Sequence, residues 1–189
     1  MEEVRVRGYQ EKDQSATRNI CVATANGFAV DTQKQKELLC LLFNDYYTEN
    51  EQDTCFVAAN EKDEAVGYII AARDFQEYKK LFKKYYMPKI YKLSFFQGLI
   101  RSIGLAYEGR VSKEYPAHLH IDILDGYQRM GLGHKLMNTL INRLKELGVK
   151  GVCLFVGAKN LKGISFYKKF GFTEVKRIAG AVCFGLKLD

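Results

Sequence analysis

The sequence of 189 residues lacks the features that would mark it as a membrane, secreted or zinc-ribbon protein. It has no run of about 18 apolar residues, so no membrane-spanning helix is predicted. Its N-terminus, MEEVRVRGYQ, is charged and does not contain the apolar core of a signal peptide. The five cysteines are scattered and form no CxxC pair, which argues against a zinc ribbon or a thioredoxin-like site. We therefore expect reduced thiols and a cytoplasmic location.

Positive charge is what the sequence has in excess, and most of it falls in one segment. The chain has 29 Lys and Arg against 22 Asp and Glu, which gives a net charge of +7. Residues 73–116 contain ten basic and four acidic residues, so +6 of that charge lies there. Such an excess favours an anionic partner, and charge alone leaves nucleic acid, a phosphorylated cofactor and an acidic surface open.

The same segment is rich in aromatic residues, with ten between positions 73 and 116. Five of them recur at helical spacing and are predicted to share one helix face: Phe75, Tyr78, Phe82, Tyr85 and Tyr86. Pro88 is predicted to end or kink that helix. A connection of this length usually has structure or function of its own. Three interpretations remain open: a helical cap whose aromatic residues pack on the core, a lid over a substrate site, and a nucleic-acid surface.

Hydrophobic periodicity predicts alternating strands and helices along the whole chain. Strands are predicted at 4–9, 54–60, 65–72, 117–124, 149–157, 172–178 and 181–188, the last two forming a hairpin about Ala179–Gly180. Helices are predicted at 11–25, 33–47, 132–147 and 160–169. We expect a single domain over residues 1–189 of the α/β (α+β) class. Its mixed sheet is flanked by helices, and 73–116 is a helical insertion between the third and fourth strands.

A glycine-rich loop, QRMGLG at 128–133, connects a predicted strand to a predicted helix. It is not a P-loop, because Leu132 stands where the phosphate-binding lysine is required. It is not a dinucleotide fingerprint either, because Leu136 occupies the place of the third glycine. Glycines nevertheless allow an anion to approach the backbone closely, and the first amides of a helix have no partners within the helix. The loop is therefore a candidate diphosphate site, or a turn that merely needs glycine.

Two motifs then resemble those of one family. DGYQRMGLGH, at 125–134, is similar to the acetyl-CoA signature Q/R-x-x-G-x-G/A of the GNAT superfamily of N-acetyltransferases. NLKGISFYKKFGF, at 160–172, is similar to that family's later Asn…Tyr…Gly-Phe segment. YPAHLHIDIL, at 115–124, looks like bacterial acetyltransferases related to the acetyltransferase-like C-terminal domain of O-GlcNAcase. The resemblance implies a mostly antiparallel GNAT-like sheet, with acetyl-CoA and an amine acceptor as partners.

The resemblance also implies roles for individual residues. Backbone amides would bind the CoA pyrophosphate, and they belong to Gln128, Arg129, Met130, Gly131, Leu132, Gly133 and His134. The backbone at Ile123 and Leu124 would pair with the pantetheine arm, in a gap where the strand at 149–157 diverges from the strand at 117–124. Asn160 would hydrogen-bond that arm. Tyr167 would be the general acid that protonates the departing thiolate.

The general base is predicted from the residues of one strand. His118, His120 and Asp122 alternate, so all three are expected on one face, with Leu119, Ile121 and Ile123 on the other. The unperturbed pKa of histidine, near 6.5, suits deprotonation of an amine. His120 is therefore the candidate base, with His118 beside it and Asp122 as its orienting group or as the base itself.

Other functions are also open at this point. His118-x-His120-x-Asp122 resembles part of a metallo-β-lactamase motif, but Ile123 replaces the next histidine, so no metal is expected. A catalytically inactive GNAT-fold binding module would be expected to lose the loop glycines or Tyr167, and all are present. An RNA-binding protein would use the basic insertion. We expect neither a membrane nor a nucleic-acid partner, and a homodimer is compatible with the aromatic insertion.

Overall fold

The computed structural model describes residues 3–25, 27–178 and 180–188, and within them the chain forms a seven-stranded sheet with helices on both faces. The strands are β1 Arg5–Gly8, β2 Cys55–Ala59, β3 Ala65–Ala72, β4 Ala117–Ile123, β5 Gly151–Gly157, β6 Thr173–Ile178 and β7 Ala181–Lys187. The helices are α1 Gln14–Ala23, α2 Gln33–Phe43, α3 Asp45–Asn50, α4 Phe75–Leu81, α5 Met87–Leu93, α6 Phe95–Val111, α7 Leu132–Glu146 and α8 Leu161–Phe170.

The strands lie in the order β1-β2-β3-β4-β5-β7-β6. Every neighbouring pair is antiparallel except β4 and β5, which run parallel. This confirms the predicted mixed, mostly antiparallel sheet flanked by helices. The predicted final hairpin corresponds to β6 and β7, and Ala179 at its turn lies outside the described residues.

Two hydrophobic clusters cover the two faces of the sheet. On one face, the leucine stripe of α7, including Leu136, Leu140 and Leu144, packs against strand residues such as Ile69 and Phe184. On the other face, α1 to α6 enclose an aromatic cluster, whose fully buried rings are Tyr46, Tyr47, Tyr68, Tyr78 and Phe82. Burial of such large side chains is a main source of fold stability, and it makes the second face the place where α4 to α6 are held.

Two helix predictions were wrong in detail. The helix expected at 33–47 is broken at Asn44, whose φ of −130° and ψ of −58° end α2 and begin α3. Pro88 does not end the helix as predicted. It lies in the first turn of α5, where the missing N–H of proline costs nothing. The chain enters α5 through a π-helical turn at Phe82–Tyr86. That wider turn shifts the helical register, and Tyr85 is consequently exposed rather than buried with the other aromatic residues.

No helix among the described residues has the length and apolar character needed to cross a membrane.

Candidate active site

β4 presents two chemically different faces. Leu119, Ile121 and Ile123 pack in the cluster that contains α7. His118 and His120 point into the aromatic cluster on the opposite face, where His118 lies 4.5 Å from the Tyr78 ring. The predicted alternation along this strand is confirmed, and it brings the proposed base residues together on one side of the sheet.

A single hydroxyl joins the two histidines. Tyr47 Oη lies 2.9 Å from His118 Nε2 and 3.1 Å from His120 Nε2. Because a phenol has one proton to donate, it donates to one ring and accepts from the other, so at least one imidazole is neutral. Burial lowers the pKa of each histidine to about 3, and the positive charge of Arg101 acts in the same direction. Both rings are therefore neutral near pH 7.

No motif in the sequence marks Tyr47, which helical spacing places at the end of the helix predicted at 33–47. It lies 71 residues before His118 and 73 before His120, so no local motif connects them. The break at Asn44 redirects the chain after α2 and lets α3 bring Tyr47 to the strand.

α6 contributes one charged group, Arg101, to the surroundings of the histidines. Arg101 donates to both carboxylate oxygens of Glu108, at 2.6 and 3.0 Å, and to the Tyr78 hydroxyl at 2.8 Å. A two-pronged guanidinium–carboxylate pair fixes orientation as well as charge. His118 Nδ1 is buried and has no hydrogen-bond partner among the described residues.

Asp122 has a different environment from the histidines. Its carboxylate accepts a hydrogen bond of 2.6 Å from the Tyr68 hydroxyl. Burial raises the pKa of Asp122, while the hydrogen bond from Tyr68 opposes that rise. Burial thus raises the pKa of Asp122 and lowers the pKa of each histidine. Of the three groups, Asp122 is therefore the best proton acceptor.

The sheet opens between β4 and β5. The two strands pair only at Ala117 with Val152 and at His118 with Cys153, whereas β4 pairs with β3 as far as Ile123. The predicted divergence of these strands is thereby confirmed. It leaves one edge of β4 open beyond His118.

The open edge determines which backbone groups a ligand can reach. Leu124 N–H donates to the Val66 carbonyl at 3.0 Å, so it points toward β3 and is already engaged. Because backbone groups alternate along a strand, those of Ile123 point into the gap. The Ile123 carbonyl accepts there from Gln128 Nε2 at 3.0 Å. Of the two predicted pairing positions, only Ile123 offers its backbone to the gap.

The glycine loop ends in a run of free amides. Within the described residues, none of the six N–H groups from Arg129 to His134 donates a hydrogen bond, while that of Gln128 donates to Asp125. The run leads into α7, whose N-cap, Gly131, has a φ of +76° that favours glycine. Gly133 allows the Phe166 ring of α8 to approach, since an added Cβ would lie 3.2 Å from it. These amides are therefore free to bind an anion, as predicted for this loop, whereas the amide of Gln128 is already engaged.

The side chains in that run have separate roles. Leu132 is buried in the core and anchors the start of α7. Met130 and Arg129 are exposed, and Arg129 has a positive φ of 64°. His134 packs edge-on against Phe166 and at a tilt against Phe170, with ring centroids 5.2 and 5.6 Å away. The loop is therefore fixed from one side and open on the other.

α8 carries the last two predicted site residues. Asn160 is its N-cap, and its Oδ1 accepts from Gly163 N–H at 2.9 Å, so Nδ2 is the atom left to donate to a ligand. Tyr167 packs between Phe166 and Phe172, and its hydroxyl bonds to none of the described residues. Burial raises the pKa of Tyr167, and the charge of Asp122 acts in the same direction. The phenol is therefore protonated at neutral pH and available to donate.

Among the residues that the structure describes, no three His, Cys, Asp or Glu side chains are grouped so that they could hold a metal ion.

The chain matches known acetyltransferases by sequence. The model of the acetyltransferase (GNAT) family matches residues 22–172. The ribosomal protein bS18-alanine N-acetyltransferase of Escherichia coli K12 is 44% identical over 48 residues, which cover 25% of this chain and 32% of the relative. An N-alpha-acetyltransferase of Sulfurisphaera tokodaii is 30% identical over 127 residues, covering 67% of this chain and 60% of the relative. The chain thus spans less than two thirds of either relative.

Solved structures share the whole fold. The crystal structure of SsHAT superposes with a TM-score of 0.87 at 25% identity, covering 99% of both chains. A PaiA N-acetyltransferase from Thermoplasma acidophilum, solved in complex with coenzyme A, has a TM-score of 0.61 at 14% identity and covers 98% of this chain and 99% of its own. At that identity the second likeness concerns the fold alone.

Proposed function

Because the chain belongs to the acetyltransferase (GNAT) family, we propose that it is an acetyl-CoA-dependent N-acetyltransferase whose acceptor is the α-amino group of a polypeptide. The observation that carries this proposal is the open edge of β4. It has free amides of the glycine loop at one end and His120, Asp122 and Tyr167 around it. The sequence relatives modify alanine or α-amino groups according to their names.

The residues of the gap suit a CoA thioester. The free amides from Arg129 to His134 would hold the pyrophosphate, and Asn160 Nδ2 would donate to the pantetheine arm. When bound, acetyl-CoA supplies an activated acetyl group. The Ile123 amide, which points into the gap, would stabilise negative charge on the acetyl oxygen. Gln128 has to release the Ile123 carbonyl if the arm pairs with it.

Proton transfer is divided between two groups. Asp122, with its raised pKa, accepts the proton that the amine loses, and neutral His120 accepts a hydrogen bond that orients the amine. Tyr167 donates a proton from its hydroxyl to the leaving sulfur. All five cysteines are buried, which favours direct transfer in a ternary complex over an acyl-cysteine route.

The electrostatics favour an amine of low pKa. The neutral histidines offer no negative charge to a bound ammonium ion, and Glu108 balances the charge of Arg101, so Asp122 alone has to take the proton and does so more readily from an amine of low pKa. At pH 7.5 roughly a third of an α-amine with pKa of about 7.8 is uncharged, against about one in a thousand lysine side chains with pKa of about 10.4. The site therefore suits an α-amino group much better than a lysine.

The cofactor site is tested by calorimetric titration with acetyl-CoA. Gly131→Glu is expected to abolish binding, because it strains the loop and places a carboxylate among the free amides. Gly148→Glu is the matched control. Gly148 lies at the other end of α7, has a φ of +72°, and has equally open space around its Cβ. Gly148→Glu should lose about as much folding stability as Gly131→Glu, of order 1 kcal/mol, and keep the wild-type affinity for acetyl-CoA. Equal affinity of both variants and the wild type would place the cofactor elsewhere.

The acceptor is tested with two peptides of the same sequence. One has a free N-terminus and no lysine, and the other has a blocked N-terminus and one lysine. We expect acetylation of the first only, at pH 7.5. Acetylation of the lysine peptide alone would contradict the α-amine proposal while leaving N-acetyl transfer in place.

Three further points stay predictions. The likeness of residues 115–124 to the O-GlcNAcase-related subgroup is a proposal about ancestry within the family. A single domain over 1–189 and a cytoplasmic location are the other two.

A further inference from the structure

α6 presents an apolar face to solvent, which we call the α6 ridge: Phe95, Phe96, Leu99, Ile100 and Ile103. The exposed fractions of these side chains are 74%, 68%, 47%, 47% and 64%. Their spacing of one, three and four residues puts them on one side of the helix. The other side is accounted for, because Leu105 is buried and Arg101 is bound to Glu108 and Tyr78. A contiguous ridge of this kind marks an interaction surface.

The charges around the ridge limit what it binds. Between Lys92 and Glu108 the only charged residue is Arg101, and its guanidinium points inward to Glu108. The ridge therefore has no cation of its own, although residues 73–116 are strongly basic. Nucleic acid and anionic membranes are held mainly by cations at the contact. An uncharged apolar surface is the better complement.

We propose that the α6 ridge is the interface of a homodimer, in which it packs on the same ridge of a second copy. Exposed side chains of this size offer roughly 500 Å² per protomer. Two copies would bury about 1,000 Å², which reaches the lower limit of area for a specific interface. The proposal does not depend on acetyl transfer.

The helices pack antiparallel about a twofold axis near Leu99. Lys89 and Lys92 both precede the ridge and are exposed. A parallel pair would bring four ammonium groups together, whereas an antiparallel pair places them at opposite ends. In a twofold interface each contact occurs twice, so Phe95 meets the partner's Ile103 and Leu99 lies against its own copy.

The mass in solution tests the interface. By light scattering at about 100 µM, the full chain should have twice its 21.6 kDa mass, and Ile103→Glu should have 21.6 kDa with an unchanged circular dichroism spectrum. Leu161→Glu is the matched control, since Leu161 is 73% exposed on α8, and it should remain dimeric. A monomeric wild type overturns the proposal, as does a dimeric Ile103→Glu. A monomer that sediments with phosphatidylglycerol vesicles overturns it in favour of a membrane.

Cross-linking tests the orientation. The native cysteines are all buried, so an introduced surface cysteine is the reactive one. Under mild oxidation Leu99→Cys should form a covalent dimer, and Phe95→Cys should not. Combining Phe95→Cys with Ile103→Cys should restore the cross-link. Cross-linking of Phe95→Cys alone overturns the antiparallel arrangement.

Discussion

Tyr47 shows how one residue can set the state of a site. Its hydroxyl lies between His118 and His120 and holds both rings without any charge of its own. Tyr68 does the same for Asp122, from the neighbouring strand. Phenol hydroxyls therefore hydrogen-bond to His118, His120 and Asp122 on the polar face of β4, while burial keeps the two histidines neutral and leaves Asp122 as the base.

Tyr167 is the residue on which turnover should depend most directly. Tyr167→Phe is expected to lower kcat by roughly 100-fold, because the free hydroxyl is the proposed proton donor. Affinity for acetyl-CoA should be unchanged by calorimetry.

Tyr107→Phe provides the control for that change. The Tyr107 hydroxyl is also without a partner among the described residues, and it lies over Phe155 of β5. This variant should keep wild-type kcat. If Tyr167→Phe keeps it too, another group protonates the thiolate.

At the scale of elements, Arg101 ties α6 to α4 through its hydrogen bond to Tyr78, and a largely buried ion pair with Glu108, on the same helix, balances its charge. Removing one partner of such a pair leaves an uncompensated charge and usually costs several kcal/mol. Glu108→Gln should therefore lower the free energy of unfolding by about 3 kcal/mol, measured by urea denaturation.

A second arginine–glutamate pair gives the comparison. Arg177 and Glu174 also form a two-pronged contact, at 3.0 and 3.1 Å, but they are exposed on β6. Glu174→Gln should change the free energy of unfolding by less than about 1 kcal/mol. Equal effects of the two substitutions would mean that the charge of Arg101 does not need Glu108 to balance it.

Elements were predictable where periodicity decides them. The alternation of β4 and the leucine stripe of α7 follow from local side-chain spacing, and both are confirmed. The break at Asn44 and the π-helical turn before Pro88 were not predictable, because tertiary packing in the aromatic cluster overrides local propensity there. The candidate site divides in the same way. The glycine loop of the site is recognisable as a motif in the sequence. Tyr47, Tyr68 and Arg101 come to the histidines and Asp122 from distant parts of the chain, so no local motif predicts them.

For the whole molecule, buried titratable groups act against one another. Burial lowers the pKa of His118 to about 3, so between pH 7 and 5 the unfolded chain binds a proton there that the folded chain does not. That difference reduces stability as the pH falls. Burial raises the pKa of Asp45 to about 6 and that of Glu51 to about 7. Here the folded chain binds the extra protons, so stability increases as the pH falls.

Because these groups oppose one another, the free energy of unfolding of the wild type should depend only weakly on pH. Removing His118 should change that dependence. The His118 contribution lost between pH 7 and 5 is about 2 kcal/mol. His118→Gln does not suffer this loss. When the pH falls from 7 to 5, its free energy of unfolding should therefore change by about 2 kcal/mol in its favour compared with the wild type, measured by urea denaturation at both pH values. Asn138→Gln replaces an exposed residue of α7 that does not titrate and should leave the wild-type dependence in place. If His118→Gln also leaves it unchanged, His118 is protonated in the folded protein, and the neutral pair bridged by Tyr47 does not exist.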